Sequence, residues 1–236
     1  APHVANELIN RAAPSSAAKS ARIRLVEGVL DRAHEPMLGL SETAFPPEKA
    51  MYLSILRAGR LHREEAGVWG FHLPTEADDP ARLRPALLHL RDRLLADDLA
   101  KVPVLDLFAA LAAPPFGVRE GLLHLLLAVF VRIYERDVAL YEDGVFSRRA
   151  TPEQFQRLDK APERFALQFC AVEGVRADVF GTLLEVVGED GPTGGDLDVL
   201  GVVTPLCVFA AELPEYALQT ATVPPIARAV RETLLD

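Results

Sequence analysis

The chain has 236 residues, of which half are hydrophobic and a quarter are charged, and its formal net charge is −9. This composition is that of an ordinary folded protein with enough length for one large domain or two small ones, and it argues against extensive disorder. The acidic balance also disfavours a protein whose main task is to bind the nucleic-acid backbone, because neutralising phosphates requires clustered lysine and arginine.

Targeting signals and redox chemistry are not evident. No charged segment followed by an apolar stretch opens the chain, and the longest apolar run, 122–131, contains His124 and is too short to cross a bilayer. Cys170 and Cys207 lack the spacing of a metal site, which is typical of reduced thiols in the cytoplasm. Because the chain does not begin with Met and residues 6–10 resemble the interior of an element, we expect a fragment of a larger cytoplasmic protein.

The first part of the chain, 1–75, predicts two helices followed by a β-hairpin. Ser15 and Ser16 can cap a helix whose buried stripe is Ile23, Val26 and Leu30. Pro46-Pro47 starts a second helix over 48–58, with Met51 and Ile55 turned inward. Residues 61–73 then alternate about a Glu65-Ala66-Gly67 turn, as a hairpin should. This is the order of a winged helix-turn-helix.

The second part, 102–172, repeats this order after a linker and bridging helix over 76–101. Leu83, Leu87, Leu90 and Leu94 mark the inner face of the bridging helix. Helices over 104–112 and 118–135 then lead to a hairpin over 138–148, whose Asp143-Gly144 turn is a strong signal. Thr151 and Gln154 predict a capping box, and 165–171 alternates like a strand that could extend the second sheet.

A helical extension over 173–236 is expected to complete the chain. It comprises a helix over 175–187, a glycine-rich acidic loop over 188–195, and helices that start near Pro205 and Pro225. The loop has the glycines of a phosphate-binding loop but no lysine, and its acidic neighbours would repel phosphate. The predicted fold class is therefore mainly α with short β-hairpins (α+β), with two winged-helix-like units joined by a helix.

No constellation of residues points to catalysis. No histidine pair has a zinc-protease spacing and no serine lies in a nucleophile-elbow motif. His62 and His72 could meet across the first hairpin and bind a metal with Glu64 or Glu65, but a solvated hairpin is the favoured interpretation. His124, in a leucine-rich helix, is expected to be a hydrogen-bonded, partly buried histidine. We expect neither an enzyme nor a cofactor or metal site in this segment.

DNA binding through the first unit is the alternative function. Its second helix should expose Glu48 together with Lys49, Tyr52 and Arg57, and Arg60 and Arg63 follow at the hairpin. Glu64 and Glu65 oppose these cations at the hairpin tip. The second unit is excluded from groove reading because its long helix is apolar nearly all round and must be buried.

Five stretches resemble the region that follows the ATPase domain in very large bacterial P-loop ATPases, including those of BREX-like phage-defence systems. They are 6–11, 15–22, 46–56, 114–121 and 138–146. The resemblance implies a regulatory or partner-binding winged-helix region beside an ATPase, and no ATP-binding residue can be carried over because the Walker motifs have no counterpart here. We therefore predict a non-catalytic interaction or regulatory module whose partner is a protein or another domain of the parent chain, with no membrane contact. The candidate contact residues are Lys49, Tyr52, Arg57, Arg60 and Arg63.

Overall fold

The computed structural model describes residues 1–10, 15–96, 100–147 and 149–169, together with isolated positions between 208 and 228. The chain divides into two compact units, Ala1–Phe169 and Cys170–Asp236. The first unit is α+β and consists mostly of helices with two small antiparallel sheets. Both predicted helix–helix–hairpin sequences lie in this one unit.

Seven α-helices are found among the described residues. They are α1 (Glu7–Asn10), α2 (Ser16–Asp31), α3 (Pro47–Met51), α4 (Arg84–Leu95), α5 (Val104–Ala112), α6 (Glu120–Ile133) and α7 (Pro152–Leu158). Pro36–Gly39 is a turn in which Met37 and Leu38 have positive φ, and a 3₁₀ turn forms at Pro162–Arg164. Helix α3 continues directly into a π-helical segment, Tyr52–Arg57. No helix of the described residues is long and apolar enough to span a bilayer.

The strands form two separate antiparallel sheets. The first is the hairpin of β1 (His62–Glu65) and β2 (Val68–Phe71), and the second has the order β3-β6-β4-β5. Its strands are β3 (Val102–Pro103), β4 (Val138–Glu142), β5 (Val145–Ser147) and β6 (Phe165–Phe169). Both predicted hairpins are confirmed, and so is the pairing of Phe165–Phe169, the described part of the 165–171 segment, with the second hairpin, whereas β3 was not predicted.

Local signals that the sequence carries explain most of these elements. Ser15 caps α2 by accepting a hydrogen bond from the amide of Ala18, and Thr151 and Gln154 form the predicted capping box of α7. The turn residues Gly67 and Gly144 have φ of +82° and +81°, which a two-residue hairpin turn requires and glycine adopts without strain.

Helices α2 and α6 form the centre of the first unit. Helix α2 packs against α3, α6 and α7, and α6 is buried over most of its circumference, as its apolar sequence predicted. The backbone of α1 reaches α6 at Gly121, where an added Cβ would lie 2.5 Å from the carbonyl oxygen of Ile9. The N-terminal residues are therefore packed into the core of this unit. The four leucines that marked the inner face of α4 are all buried.

Several expectations fall on residues that are not described. These are Cys170 and Cys207, the helix predicted over 175–187 and the glycine-rich loop. The tail helices also lie largely outside the described residues, although the amides of Thr220 and Arg228 donate to carbonyls four residues earlier.

Candidate partner-binding surface

Within residues 1–75, the segment that the sequence singled out, the helix that begins as α3 is held against the first hairpin by a buried cluster of aromatic and histidine side chains. Tyr52 is fully buried, and its hydroxyl lies 2.9 Å from Nδ1 of His62. The other ring nitrogen of His62, Nε2, lies 2.8 Å from the carbonyl oxygen of Ala33. Trp69 and Phe71 pack on the His62 ring with centroid separations of 5.2 and 4.8 Å.

Two corrections follow from this cluster. Tyr52 cannot contact a partner, because its side chain is enclosed between α3 and the hairpin, and burial raises its pKa to about 12. His62 is not on a solvated hairpin face: it is 2 % exposed and both of its ring nitrogens are hydrogen-bonded within the fold. Burial also lowers the pKa of His62. Among the described residues no group of histidine, cysteine and carboxylate side chains could hold a metal ion.

Lys49 is also buried, at 3 % exposure, contrary to prediction. Its ammonium donates hydrogen bonds to the carbonyl oxygens of Ser41, Glu42 and Ala44 at 2.7, 2.7 and 3.0 Å. The ring of Phe45 covers the ammonium at 4.1 Å from its centroid, while Phe45 itself remains 78 % exposed. The charge of Lys49 is thus used inside the protein, to organise the loop that precedes α3.

Glu48, the remaining residue expected to be exposed on this helix turn, is buried beside Arg24 of α2. Both carboxylate oxygens accept hydrogen bonds from Arg24 at 2.9 Å, an arrangement that lowers the pKa of Glu48. A bidentate arginine–carboxylate pair fixes orientation as well as charge. The face of α3 predicted to meet a partner therefore faces α2 and the preceding loop.

The three arginines of the predicted contact set remain at the surface. Arg57 is exposed and forms no ion pair with any described residue. Arg60 pairs with Asp78 at 3.1 Å, and both side chains are more than half exposed. Arg63 pairs with Glu65 at 2.5 Å, and the same carboxylate also reaches Nδ1 of His72 at 3.1 Å. Two of the three cations thus have acidic neighbours, so the local charge is nearly balanced.

Both hairpins expose large apolar side chains at their tips. Val68 in the first is 65 % exposed, and Val145 and Phe146 in the second are 69 % and 42 % exposed. The acidic residues at the second tip are neutralised: Arg157 makes two 2.7 Å hydrogen bonds to Glu142, and Arg164 pairs with Asp143. These arginines lower the pKa of both carboxyl groups. The second tip therefore offers apolar contact rather than a net charge.

Sequence reasoning did not find a buried polar junction between α2, α6 and the end of α7. Arg22 forms an ion pair with Asp159, whose carboxylate lies 3.6 Å from Nε2 of His124. His124 is partly buried, as predicted, but neither of its ring nitrogens has a hydrogen-bond partner among the described residues, so the predicted hydrogen bond was wrong. The adjoining pocket has room for about one water molecule. Only the lone histidine in a leucine-rich helix signalled this junction in the sequence.

Comparison with known protein families, with curated proteins and with solved structures finds no match to the chain.

Proposed function

We propose that this chain is a non-catalytic interaction or regulatory module of winged-helix type that acts beside the ATPase domain of a larger bacterial protein of the phage-defence kind. Its partner is a protein surface or another domain of the parent chain. It works in the cytoplasm, without membrane contact and without a cofactor of its own. The contacts are made by the tips of the two hairpins.

The observation that carries the proposal is the exposure of Val68, Val145 and Phe146 at the tips of the two hairpins. Contiguous exposed apolar patches rimmed by polar residues mark protein-interaction sites. The order α2, α3, β1–β2 and the order α5, α6, β4–β5 support the winged-helix assignment. The connection between α2 and α3, residues 32–46, is longer than the turn of about three or four residues that a helix-turn-helix uses.

DNA binding through the first winged-helix-like unit, residues 1–75, has less support. Lys49 and Tyr52 are enclosed, and the exposed Arg60 has an acidic partner. A helix that directs its polar residues into its own fold cannot present them to a groove. Arg57 is the one member of the predicted contact set that stays exposed without an ion pair to a described residue.

A titration with duplex DNA distinguishes the two functions. We expect no binding tighter than about 100 µM at physiological salt, which is the weak end of non-specific binding. Micromolar binding that disappears in the double variant Arg57→Glu/Arg60→Glu, and persists in the matched control Arg82→Glu/Arg93→Glu, would instead support the DNA function.

The regulatory role is tested in the complete gene product. We expect a P-loop ATPase domain in it, and a changed rate of ATP hydrolysis when Val68→Asp places a charge on the first tip. Leu105→Asp on α5 is the control, since Leu105 is 45 % exposed and is part of neither hairpin. A gene product without a P-loop domain, or equal rates for wild type and Val68→Asp, would contradict the proposal.

A further inference from the structure

The loop before α3 forms a cage around the ammonium group of Lys49. The carbonyl oxygens of Ser41, Glu42 and Ala44 lie 2.7, 2.7 and 3.0 Å from Nζ, and the centroid of the Phe45 ring lies 4.1 Å from it. All three hydrogen bonds go to neutral backbone groups, and Lys49 is only 3 % exposed. The loop thus replaces the water around a buried cation with carbonyl dipoles and the face of an aromatic ring.

The geometry of the cage matches one class of cation. A primary ammonium group has three N–H donors and no acceptor, so three convergent carbonyl oxygens satisfy all of its hydrogen bonds. A quaternary ammonium group has no N–H to donate, and a guanidinium group presents its donors as a planar fork. Ca²⁺ takes about six to eight oxygen ligands, carboxylates among them. The cage therefore favours a primary ammonium group over these other cations.

The cage also has support that does not come from the side chain of Lys49. The hydroxyl of Ser41 accepts hydrogen bonds from the amides of Thr43 and Ala44, both at 3.3 Å, and these bonds curl the loop. Pro46, with φ of −69° and ψ of 159°, fixes the extended entry into α3. A site that is ordered before its ligand arrives binds at a lower cost in free energy, because less conformational entropy is lost.

We propose that residues 41–45 are a binding site for primary ammonium groups, and that Lys49 occupies this site as a ligand from within the chain. The carbonyl groups and the ring recognise the head group, and the stem of Lys49 only delivers it. A variant without the stem should therefore bind a free alkylammonium ion of matching length. Lys49→Ala keeps Cβ and removes the atoms of n-propylammonium, so this ion is the matching ligand. The proposal is independent of the function proposed above.

Amide hydrogen exchange of the full chain tests the site near pH 7, where primary alkylamines are protonated. Lys49→Ala should exchange faster than wild type over 41–45. Protection rises as one plus the ratio of ligand concentration to dissociation constant, so about 200 mM n-propylammonium chloride should slow this exchange about threefold for a dissociation constant of about 100 mM. Tetramethylammonium chloride and potassium chloride at the same concentration should leave the exchange unchanged.

Further variants show whether the ion binds in the cage. Lys49→Met also loses the ammonium group, but its side chain fills the path of the stem, so n-propylammonium should not slow its exchange. Adding Phe45→Leu to Lys49→Ala removes the ring face and should weaken the binding of n-propylammonium about two- to fivefold. Wild type and Lys19→Ala, in which Lys49 still fills the cage, should respond to none of the salts.

Should Lys49→Ala fail to fold, circular dichroism gives the same comparison, and n-propylammonium alone should shift the helical signal toward that of wild type. Three results would overturn the proposal. They are equal exchange over 41–45 in folded Lys49→Ala and wild type, no effect of n-propylammonium on Lys49→Ala, and an equal effect of tetramethylammonium or potassium.

Discussion

At the scale of single residues, His62 determines how the first hairpin is attached. A carbonyl oxygen can only accept, so Nε2 of His62 carries the proton and donates to Ala33, and Nδ1 accepts from the Tyr52 hydroxyl. One ring thus links the end of α2, the helix of Tyr52 and β1. Because the ring is almost fully buried, every partner that it loses must be replaced from within the protein.

Replacing the Tyr52 hydroxyl should therefore destabilise the fold. Tyr52→Phe leaves Nδ1 of His62 without a donor in a buried site, which costs about 1–3 kcal/mol. Urea unfolding followed by circular dichroism measures the loss. Tyr216→Phe is the matched control, since Tyr216 is 81 % exposed and the change should have no measurable effect. Equal stability of Tyr52→Phe and wild type would show that the hydroxyl contributes nothing.

Sequence reasoning could not assign these single residues, and the cause is the geometry of the helix. Helical spacing placed Lys49 and Tyr52 outside and Met51 and Ile55 inside, and all four are buried. The helix widens to π-winding from Tyr52 onward, which changes the angle between successive side chains, and the loop before it folds over the remaining face. Neither event has a local sequence signal.

At the scale of elements, the loop between α2 and α3 is built by interactions that come from outside it. Met37, Leu38 and Gly39 all have positive φ, a conformation that costs non-glycine residues about 1–2 kcal/mol each. Burial of Leu38 offsets part of that cost. The following residues are fixed by the Lys49 ammonium, which gathers three carbonyl groups that no regular element would satisfy.

Removing that ammonium should loosen the loop. In Lys49→Met the three carbonyl groups lose their donor, and we expect a loss of about 1–3 kcal/mol together with faster amide hydrogen exchange over 41–46. Hydrogen exchange with mass spectrometry gives the local measurement. Lys19→Met on the exposed side of α2 is the control. Unchanged exchange over 41–46 would mean that the prolines and Ser41 order the loop without Lys49.

The elements that were predicted correctly are specified by residues that lie close together in the sequence. Asp143-Gly144 and the capping box of Thr151 and Gln154 act within a few residues, so a single sequence suffices to locate them. The two-residue strand β3 has no such signal, because its conformation depends on pairing with β6 far along the chain. Short-range chemistry therefore separates what could be predicted from what could not.

At the scale of the whole molecule, a buried charged junction joins helices that are distant in sequence. Arg22 and Asp159 are separated by 137 positions, and His124 lies between them. Burial and the charge of Arg22 lower the pKa of His124 to about 4. Asp159 and Glu120 act in the opposite direction, but their effect is weaker. The junction therefore favours neutral His124 in the folded protein.

This lowered pKa predicts a loss of stability in acid. The unfolded chain binds a proton at His124 near pH 6.5 and the folded protein does so near pH 4, so stability should fall across that window, by up to roughly 3 kcal/mol from this residue. The pKa values of Glu48 and Glu142 are also lowered. Below about pH 4.5 their carboxylates become protonated and lose their ion pairs with arginine, which lowers the stability further.

Urea unfolding at several pH values tests the assignment. His124→Gln should flatten the dependence between pH 6.5 and 4. His34→Gln should leave it unchanged, since the side chain of His34 is 73 % exposed and lies outside the junction. A profile for His124→Gln that coincides with wild type would assign the acid sensitivity to another group.

Trp69, the single tryptophan of the chain, gives the first hairpin an optical signal of its own. Its indole lies beside His62, so its fluorescence reports the packing of β1 and β2 on the helix of Tyr52. The four-stranded sheet contains no tryptophan and contributes no indole signal. Fluorescence and circular dichroism therefore observe different parts of one unit, and a difference between their unfolding curves would reveal a hairpin that detaches before the helical core melts.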